Sequence, residues 1–303
     1  MIKKCLFPAA GYGTRFLPAT KVMPKEMLPI CTKPLIQYGV EEAIDAGLTT
    51  IAIVTGRGKR TLEDHFDVSY ELEHQISGTT KEKMLADIRQ IIDKCRFCYT
   101  RQREMKGLGH AVLTGRSLIG DEPFGVVLAD DLCVSDFDGV MKQMVNIFKR
   151  EKCPIVAVME VEPAEVSKYG IVDGEIHGEA PQGLIRVRSM VEKPKPEDAP
   201  STLAVIGRYI LTPDIFEVLA SQKAGAGGEI QLTDAICALA KRGKVLAYRF
   251  EGLRYDCGSL EGYLEATNAM YCREHFNLKT PQMRTIISAW QRRLTQMARK
   301  FSD

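Results

Sequence analysis

Short apolar runs alternate along the chain with longer amphipathic stretches. KKCLFPAA (3–10) reads as a first strand and KPLIQYGVEEAIDAG (33–47) as a helix closed by Gly47. TTIAIVTG (49–56) is a second strand, residues 58–93 are mostly helical with a break at SGTT, and RFCYTRQ (96–102) is a third strand. GHAVLTGRSLI (109–119) reads as a helix. FGVVLADD (124–131) is a near-continuously apolar fourth strand, a helix follows from Asp136 to about Arg150, and PIVAVMEV (154–161) is a fifth strand. This β-α-β rhythm predicts an α/β fold with a mostly parallel central sheet flanked by helices.

Residues 160–210 break the rhythm. They are rich in Pro, Gly and Glu with short β-like runs (YGIVDGEIHG, LIRVRSMVEKPKP, STLAVIGRYI), which predicts hairpins and a small antiparallel β addition bordering a cleft. Helices return at TPDIFEVLAS and EIQLTDAICALAKRG, KVLAYRFEG is a late strand, and SLEGYLEATNAMYCREH a further helix. One domain is expected over 1–275. In the tail, 276–303, Met283, Ile286, Ile287, Trp290, Leu294, Met297 and Phe301 fall at helical spacing, with Arg292, Arg293, Arg299 and Lys300 between them. That helix could dock on its own domain; the sole tryptophan in the stripe favours an oligomer contact, so a homo-oligomer, dimer or tetramer, is the expectation.

Composition narrows the field. The net charge of +2 over 303 residues argues against a general nucleic-acid binder, so any basic site has to be local. No run is long enough to span a bilayer and the N-terminal apolar run is too short for a signal peptide, so a cytoplasmic protein is expected. The nine cysteines are scattered and read as free thiols; Cys95 and Cys98 form a lone C-x-x-C without the second pair that zinc needs.

The candidate chemistry begins in FPAAGYGTRFLPATKVMPKEMLPI (7–30). Gly11 and Gly13 follow a strand and precede an expected helix start, and Arg15, Lys21 and Lys25 are spaced by Pro18 and Pro24. Glycine permits close approach of backbone N–H groups to a phosphate, and proline stiffens the free loop, so the segment suits a triphosphate. It is neither of two familiar phosphate loops: no Gly-Lys-Ser/Thr follows, and Phe16 stands where a dinucleotide fingerprint needs its third glycine. A plain structural turn is the competing reading of the two glycines. At the fourth strand's end, adjacent Asp130 and Asp131 should point to opposite sides, and Asp131 could equally cap a turn.

AAGYGTRFLPATK…PKEMLP closely resembles the signature of the sugar-nucleotide pyrophosphorylases. The likeness continues in order through KPLIQY, EDHFD, SYELE, GLGHAV, LADDL, YGIV, VEKP, GRYIL, GGEIQLTDAI and YDCGS, over roughly residues 1–275; Thr32 departs from the aspartate common in the family. The resemblance implies a Rossmann-like nucleotidyltransferase fold and uridylyl transfer from UTP to glucose 1-phosphate, with Mg²⁺ as cofactor. It implies catalytic roles for Arg15, Lys25 and Lys193, and nucleotide contacts at Ala10, Gly11, Gly13, Glu26, Gln102 and Gly107. It also implies sugar contacts at Asp131, Gly170, Glu192 and Lys193, and metal ligation by Asp130 and Asp256. Small-molecule substrates, with no nucleic acid or membrane partner, follow. Taken alone, Asp256 is an ordinary turn residue, Gln102 an exposed strand end and the Glu192–Lys193 pair a solvated edge; His110 reads as a packed helix residue with no chemistry. A non-catalytic regulatory relative, a nucleotidyltransferase using dTTP or another sugar 1-phosphate, and a dinucleotide oxidoreductase are the alternatives.

Overall fold

A computed structural model describes residues 2–178, 183–225 and 228–275. Thirteen strands are present among them: β1 Lys4–Pro8, β2 Pro29–Ile30, β3 Lys33–Pro34, β4 Thr50–Thr55, β5 Arg96–Arg101, β6 Phe124–Val127, β7 Asp131–Val134, β8 Ile155–Glu160, β9 Gly170–Ile176, β10 Leu184–Glu192, β11 Leu203–Leu211, β12 Leu246–Arg249 and β13 Leu253–Asp256. Nine of them form one sheet in the order β5-β4-β1-β6-β11-β8-β12-β10-β9.

Alternation along the strands feeds two cores. In β1, Cys5 and Phe7 face one side and Leu6 the other. The first core is closed by helices Leu35–Asp45 and Val140–Glu151, through side chains such as Ile36, Val40, Met144 and Phe148. The second is closed by helices Leu108–Thr114, Asp214–Ser221 and Leu232–Ala240, through Val112, Phe216 and Ile236 among others. Helices on both faces of the sheet agree with the sequence expectation.

The strand directions agree in part. β5, β4, β1 and β6 are mutually parallel, as is β8 with β12. The other pairings are antiparallel: β11 with β6, β8 and β9, and β10 with β9 and β12. The sheet is therefore mixed: β5, β4, β1, β6, β8, β12 and β9 run one way, and β11 and β10 run against them. The β9–β10 hairpin extends this sheet, and β11, expected among peripheral hairpins, is a buried strand in the sheet's middle. An apolar run identifies a buried strand, but it carries no information about direction or neighbours.

Two further departures shape the site. The run FGVVLADD is not one strand: β6 ends at Val127, the chain turns at Ala129–Asp130, and β7 starts a separate two-stranded ribbon with β13. The glycine loop leads into no α-helix but into three 3₁₀ turns, Thr14–Phe16, Ala19–Lys21 and Lys25–Met27. Phe16, too large for a dinucleotide turn, packs edge-on against Tyr263 with ring centroids 5.6 Å apart. All nine cysteines are free, and no helix among the described residues is long and apolar enough to cross a membrane. The tail stripe from Met283 to Phe301 lies outside the described residues.

Candidate active site

β1 pairs on one side with β4, the next strand of the large sheet, and on the other with β6, to which the chain returns only after β5. Such a reversal leaves a crevice at the carboxyl ends of the strands. From those ends come the glycine loop after β1, Lys59 after β4, Gln102 after β5 and Asp130 after β6. A cavity of about 990 Å³ opens beside them, lined by Arg15, Asp130, Asp131, Gly170, Glu192, Lys193 and Asp256 among others. Seven of the residues implied by the resemblance thus share one chamber, although they span most of the chain.

Gly13 adopts φ 66°, a left-handed conformation that turns the loop back so that Lys25 lies beneath it; a Cβ there would sit 3.1 Å from Lys25 Cβ. Lys25 Nζ donates to Asp130 Oδ2 at 2.5 Å. Burial opposes the charge on Asp130, but Lys25, with help from Arg15, outweighs it and holds the carboxyl below its ordinary value. Burial likewise opposes charge on Lys25, and Asp130 and Glu26 overcome it and raise its pKa. Lys21, exposed on the outer turn, does not line the cavity.

Glu26 does not line the chamber. It accepts from Lys59 at 2.8 and 2.9 Å, and the two side chains are 1% and 6% exposed. Burial pushes Glu26 up and Lys59 down, outweighing their mutual attraction. Removing one partner of such a pair strands the other charge. Nothing in the sequence marks Lys59, because its partner lies 33 positions away.

The β7–β13 ribbon brings the second acidic segment in. Asp256 pairs opposite Asp131, and Gly258 N–H donates to Asp256 Oδ1 at 3.0 Å. Arg15 Nη1 donates to Gly258 O at 3.0 Å. A Cβ placed on Gly258 would lie 3.0 Å from Asp256 Oδ1, 3.1 Å from Asp130 Oδ2 and 3.2 Å from Arg15 Nη1, so the two carboxylates and the guanidinium converge on one point.

Asp131 lines the same chamber as Asp130, because the turn before β7 removes the strand alternation that would have sent the two to opposite sides. Its Oδ2 accepts from Gly207 N–H at 2.7 Å and its Oδ1 from Arg254 Nε at 2.8 Å and from Arg254 Nη2. Burial pushes the Asp131 carboxyl up and Arg254 opposes that. Gly207 belongs to an irregular stretch of β11 and has to be glycine: a Cβ would lie 2.6 Å from both Asp131 Oδ2 and Leu128 Cβ. From the next residue, Arg208 donates to Leu128 O at 3.3 Å and Asp131 O at 2.8 Å, and Glu42 binds it from the other side. The acidic turn is therefore held on both flanks of Asp130. Arg254 also reaches Tyr169 Oη at 2.9 Å and lies 3.8 Å from Asp256 Oδ1.

The far wall comes from the β9–β10 hairpin, where Gly170 pairs opposite Glu192. Glu192 Oε2 accepts from Thr233 Oγ1 at 2.7 Å. Lys193 adopts φ 48°, rare for a residue with a side chain, and its N–H donates to Tyr169 O at 2.9 Å. Its Nζ lies 3.3 Å from Glu192 Oε1, and it lines the chamber. Gln102 and Gly107 meet at 3.3 Å at the opposite end, next to the lining residue Leu108. Ala10 is buried and Gly11 exposed where the loop begins. Arg254, Tyr169, Thr233 and Gly207 escaped single-residue reasoning, although each lies in or beside a segment that drew notice: YDCGS, YGIV, GGEIQLTDAI and GRYIL.

The lining carries eight carboxylates (Asp130, Asp131, Glu165, Glu192, Glu229, Asp256, Glu261, Glu265) against four cations, Arg15, Lys168, Lys193 and Arg254. A polyphosphate entering this space meets an acidic surplus unless a cation is bound there. Among the described residues no group of three ligating side chains exists, but Asp130 and Asp256 together suit a hard divalent cation that takes its other ligands from phosphates and water.

A chamber that is acidic in its walls and bordered by a cationic loop suits enzymes that move a nucleotidyl group between phosphates. The chain belongs to the nucleotidyl transferase family, whose sequence profile matches residues 6–272. It is 68% identical over 277 residues, 91% of this chain and 98% of the other, to a UTP–glucose-1-phosphate uridylyltransferase of Pseudomonas aeruginosa. Among solved structures, a UDP-glucose pyrophosphorylase complexed with UDP-glucose matches at 61% identity and TM-score 0.84, covering 90% of this chain and all of that one. A UTP-bound UDP-glucose pyrophosphorylase from Acinetobacter baumannii matches at 38% identity and TM-score 0.83, covering 95% and 99%.

Proposed function

We propose that this chain transfers the uridylyl group of UTP to glucose 1-phosphate, forming UDP-glucose and releasing pyrophosphate. One observation carries the reading: Arg15, Asp130 and Asp256 converge on a single point beside the cavity, with Lys25 bonded to Asp130 from beneath.

A phosphate oxygen of the sugar attacks the α-phosphorus of UTP in line. A new P–O bond forms, the bond to the β-phosphate's bridging oxygen breaks, and pyrophosphate departs. The sugar phosphate is already anionic, so no side chain has to remove a proton and no covalent enzyme intermediate is needed. The work left to the protein is positioning and charge stabilisation.

In this reading Ala10, Gly11 and Gly13 cradle the triphosphate through their backbone, and Arg15 and Lys25 meet the charge that develops on the leaving pyrophosphate. Glu26, tied to Lys59, fixes the end of that loop against the nucleotide. Gln102 and Gly107 contact the base. Glu192, Gly170 and Asp131 receive the glucose hydroxyls, Asp131 having one Oδ2 lone pair left beyond those given to Gly207 and Arg254. Lys193 holds the incoming phosphate. Asp130 and Asp256 would hold Mg²⁺, which supplies neutralisation of phosphate charge when bound.

The test is a panel of UTP, dTTP, CTP and ATP crossed with glucose, galactose and mannose 1-phosphates, scored for pyrophosphate with Mg²⁺ and with EDTA. The expected result is rapid release with UTP and glucose 1-phosphate, abolished by EDTA. No release with any pair would make the chain a non-catalytic relative, and a preference for dTTP would move the reading to thymidylyl transfer.

A further inference from the structure

Gln102 follows β5 directly, and His110 lies on the helix Leu108–Thr114. Gln102 Nε2 lies 3.3 Å from Gly107 O and 2.8 Å from His110 Nδ1. A backbone carbonyl only accepts, so the nitrogen end of the amide has to face Gly107. That choice decides the imidazole as well. The ring atom facing a donor must be an acceptor, so His110 Nδ1 carries the lone pair and the ring proton sits on Nε2.

Both amide hydrogens are then used within the chain, and Gln102 Oε1 has no partner among the described residues. The surroundings hold this arrangement. Gln102 N–H donates to Thr55 O at 2.9 Å, Gly109 N–H to Ile230 O at 2.8 Å and Ile230 N–H to Lys106 O at 2.8 Å. A turned amide would set its oxygen against Gly107 O, two acceptors face to face, at a residue only 4% exposed.

We propose that His110 is a specificity-setting positioning residue: its neutral, Nε2-protonated ring holds the Gln102 carboxamide so that only its oxygen is offered to the base. A pyrimidine with an N3–H donor, uracil or thymine, matches that oxygen. Cytosine, whose N3 is an acceptor, sets two lone pairs against each other. The inference rests on the reading of Gln102 as the base contact of a uridylyl transferase, and it extends that reading to a residue that never touches substrate.

Two measurements on the full chain test it. In ¹⁵N spectra of the neutral ring, assigned by comparison with a His110 variant, Nδ1 should resonate as an unprotonated ring nitrogen and Nε2 as a protonated one. The opposite pattern overturns the proposal. In kinetics, His110→Ala should lower the UTP-to-CTP ratio of kcat/KM by about tenfold, the worth of one lost hydrogen bond. The change should come through KM for UTP, with kcat and Tm near wild type. His110→Asn, whose Oδ1 can stand where Nδ1 does, should restore the ratio. A ratio unchanged in His110→Ala, or not restored by His110→Asn in a protein of normal Tm, overturns it. If the unaltered enzyme releases no pyrophosphate from UTP, the proposed function falls instead, while the tautomer measurement still tests the His110 assignment.

Discussion

The two sides of the chamber are built differently. On the β1 side, the charges come from one stretch of chain: Arg15, Lys25 and Glu26 lie within a dozen residues, braced by prolines and folded into short 3₁₀ turns. On the hairpin side, the groups come from five separate places: Tyr169–Gly170, Glu192–Lys193, Gly207, Thr233 and Arg254–Asp256. The first side is cationic and locally stiff. The second has an acidic surplus and depends on long-range strand pairing. Asp130 stands at the boundary, bonded to Lys25 on one side and converging with Asp256 on the other. On the proposed function, the loop would hold the polyphosphate and the tertiary assembly the sugar phosphate, and the two would meet at this boundary.

The largest effect should come from breaking that boundary. Chelation of divalent cations, or Asp130→Asn, should lower turnover by about 10³ or more in a pyrophosphate-release assay. Asp256→Asn should do nearly the same; turnover close to wild type there would leave Asp130 without its supposed co-ligand. Next is the buried support of the loop. Lys59→Met leaves the Glu26 carboxylate buried and alone, and should cost about 3–5 kcal/mol in urea unfolding. Adding Glu26→Gln should recover most of that loss, and no recovery would mean that packing rather than charge explains it.

The loop's outward charge is expected to matter only for chemistry. Arg15→Ala should slow turnover by about 10²–10³ with Tm unchanged. Near-wild-type turnover would remove Arg15 from the mechanism, and a large fall in Tm would show that its bond to Gly258 O is structural. The smallest effect belongs to the hairpin wall. Glu192→Gln should raise KM for glucose 1-phosphate by about tenfold, leaving KM for UTP alone. A matching rise in both constants would erase the distinction between the two sides.

The loop side was the more legible in the sequence. Gly13, Arg15 and Lys25 are near neighbours, and the closely spaced prolines announce a stiff segment before any fold is known. Family resemblance then pointed to Asp130, Gly170, Glu192, Lys193 and Asp256, which the fold does gather in one chamber. Arg254, Lys59 and His110 were not legible. Arg254 lies 123 residues from the Asp131 carboxylate it grips, and Lys59 lies 33 from Glu26. His110 looked like a packed helix residue until Gly107 O fixed the amide that fixes its ring.

By itself the sequence determined the number and type of most elements and the stiffness and charge of the loop, because periodicity, glycine and proline act over a few residues. The tertiary structure alone decided the antiparallel place of β11, the break between β6 and β7, and the meeting of Asp130 with Asp256. Strand direction and side-chain convergence depend on which distant segments share buried backbone hydrogen bonds, and no local pattern encodes that.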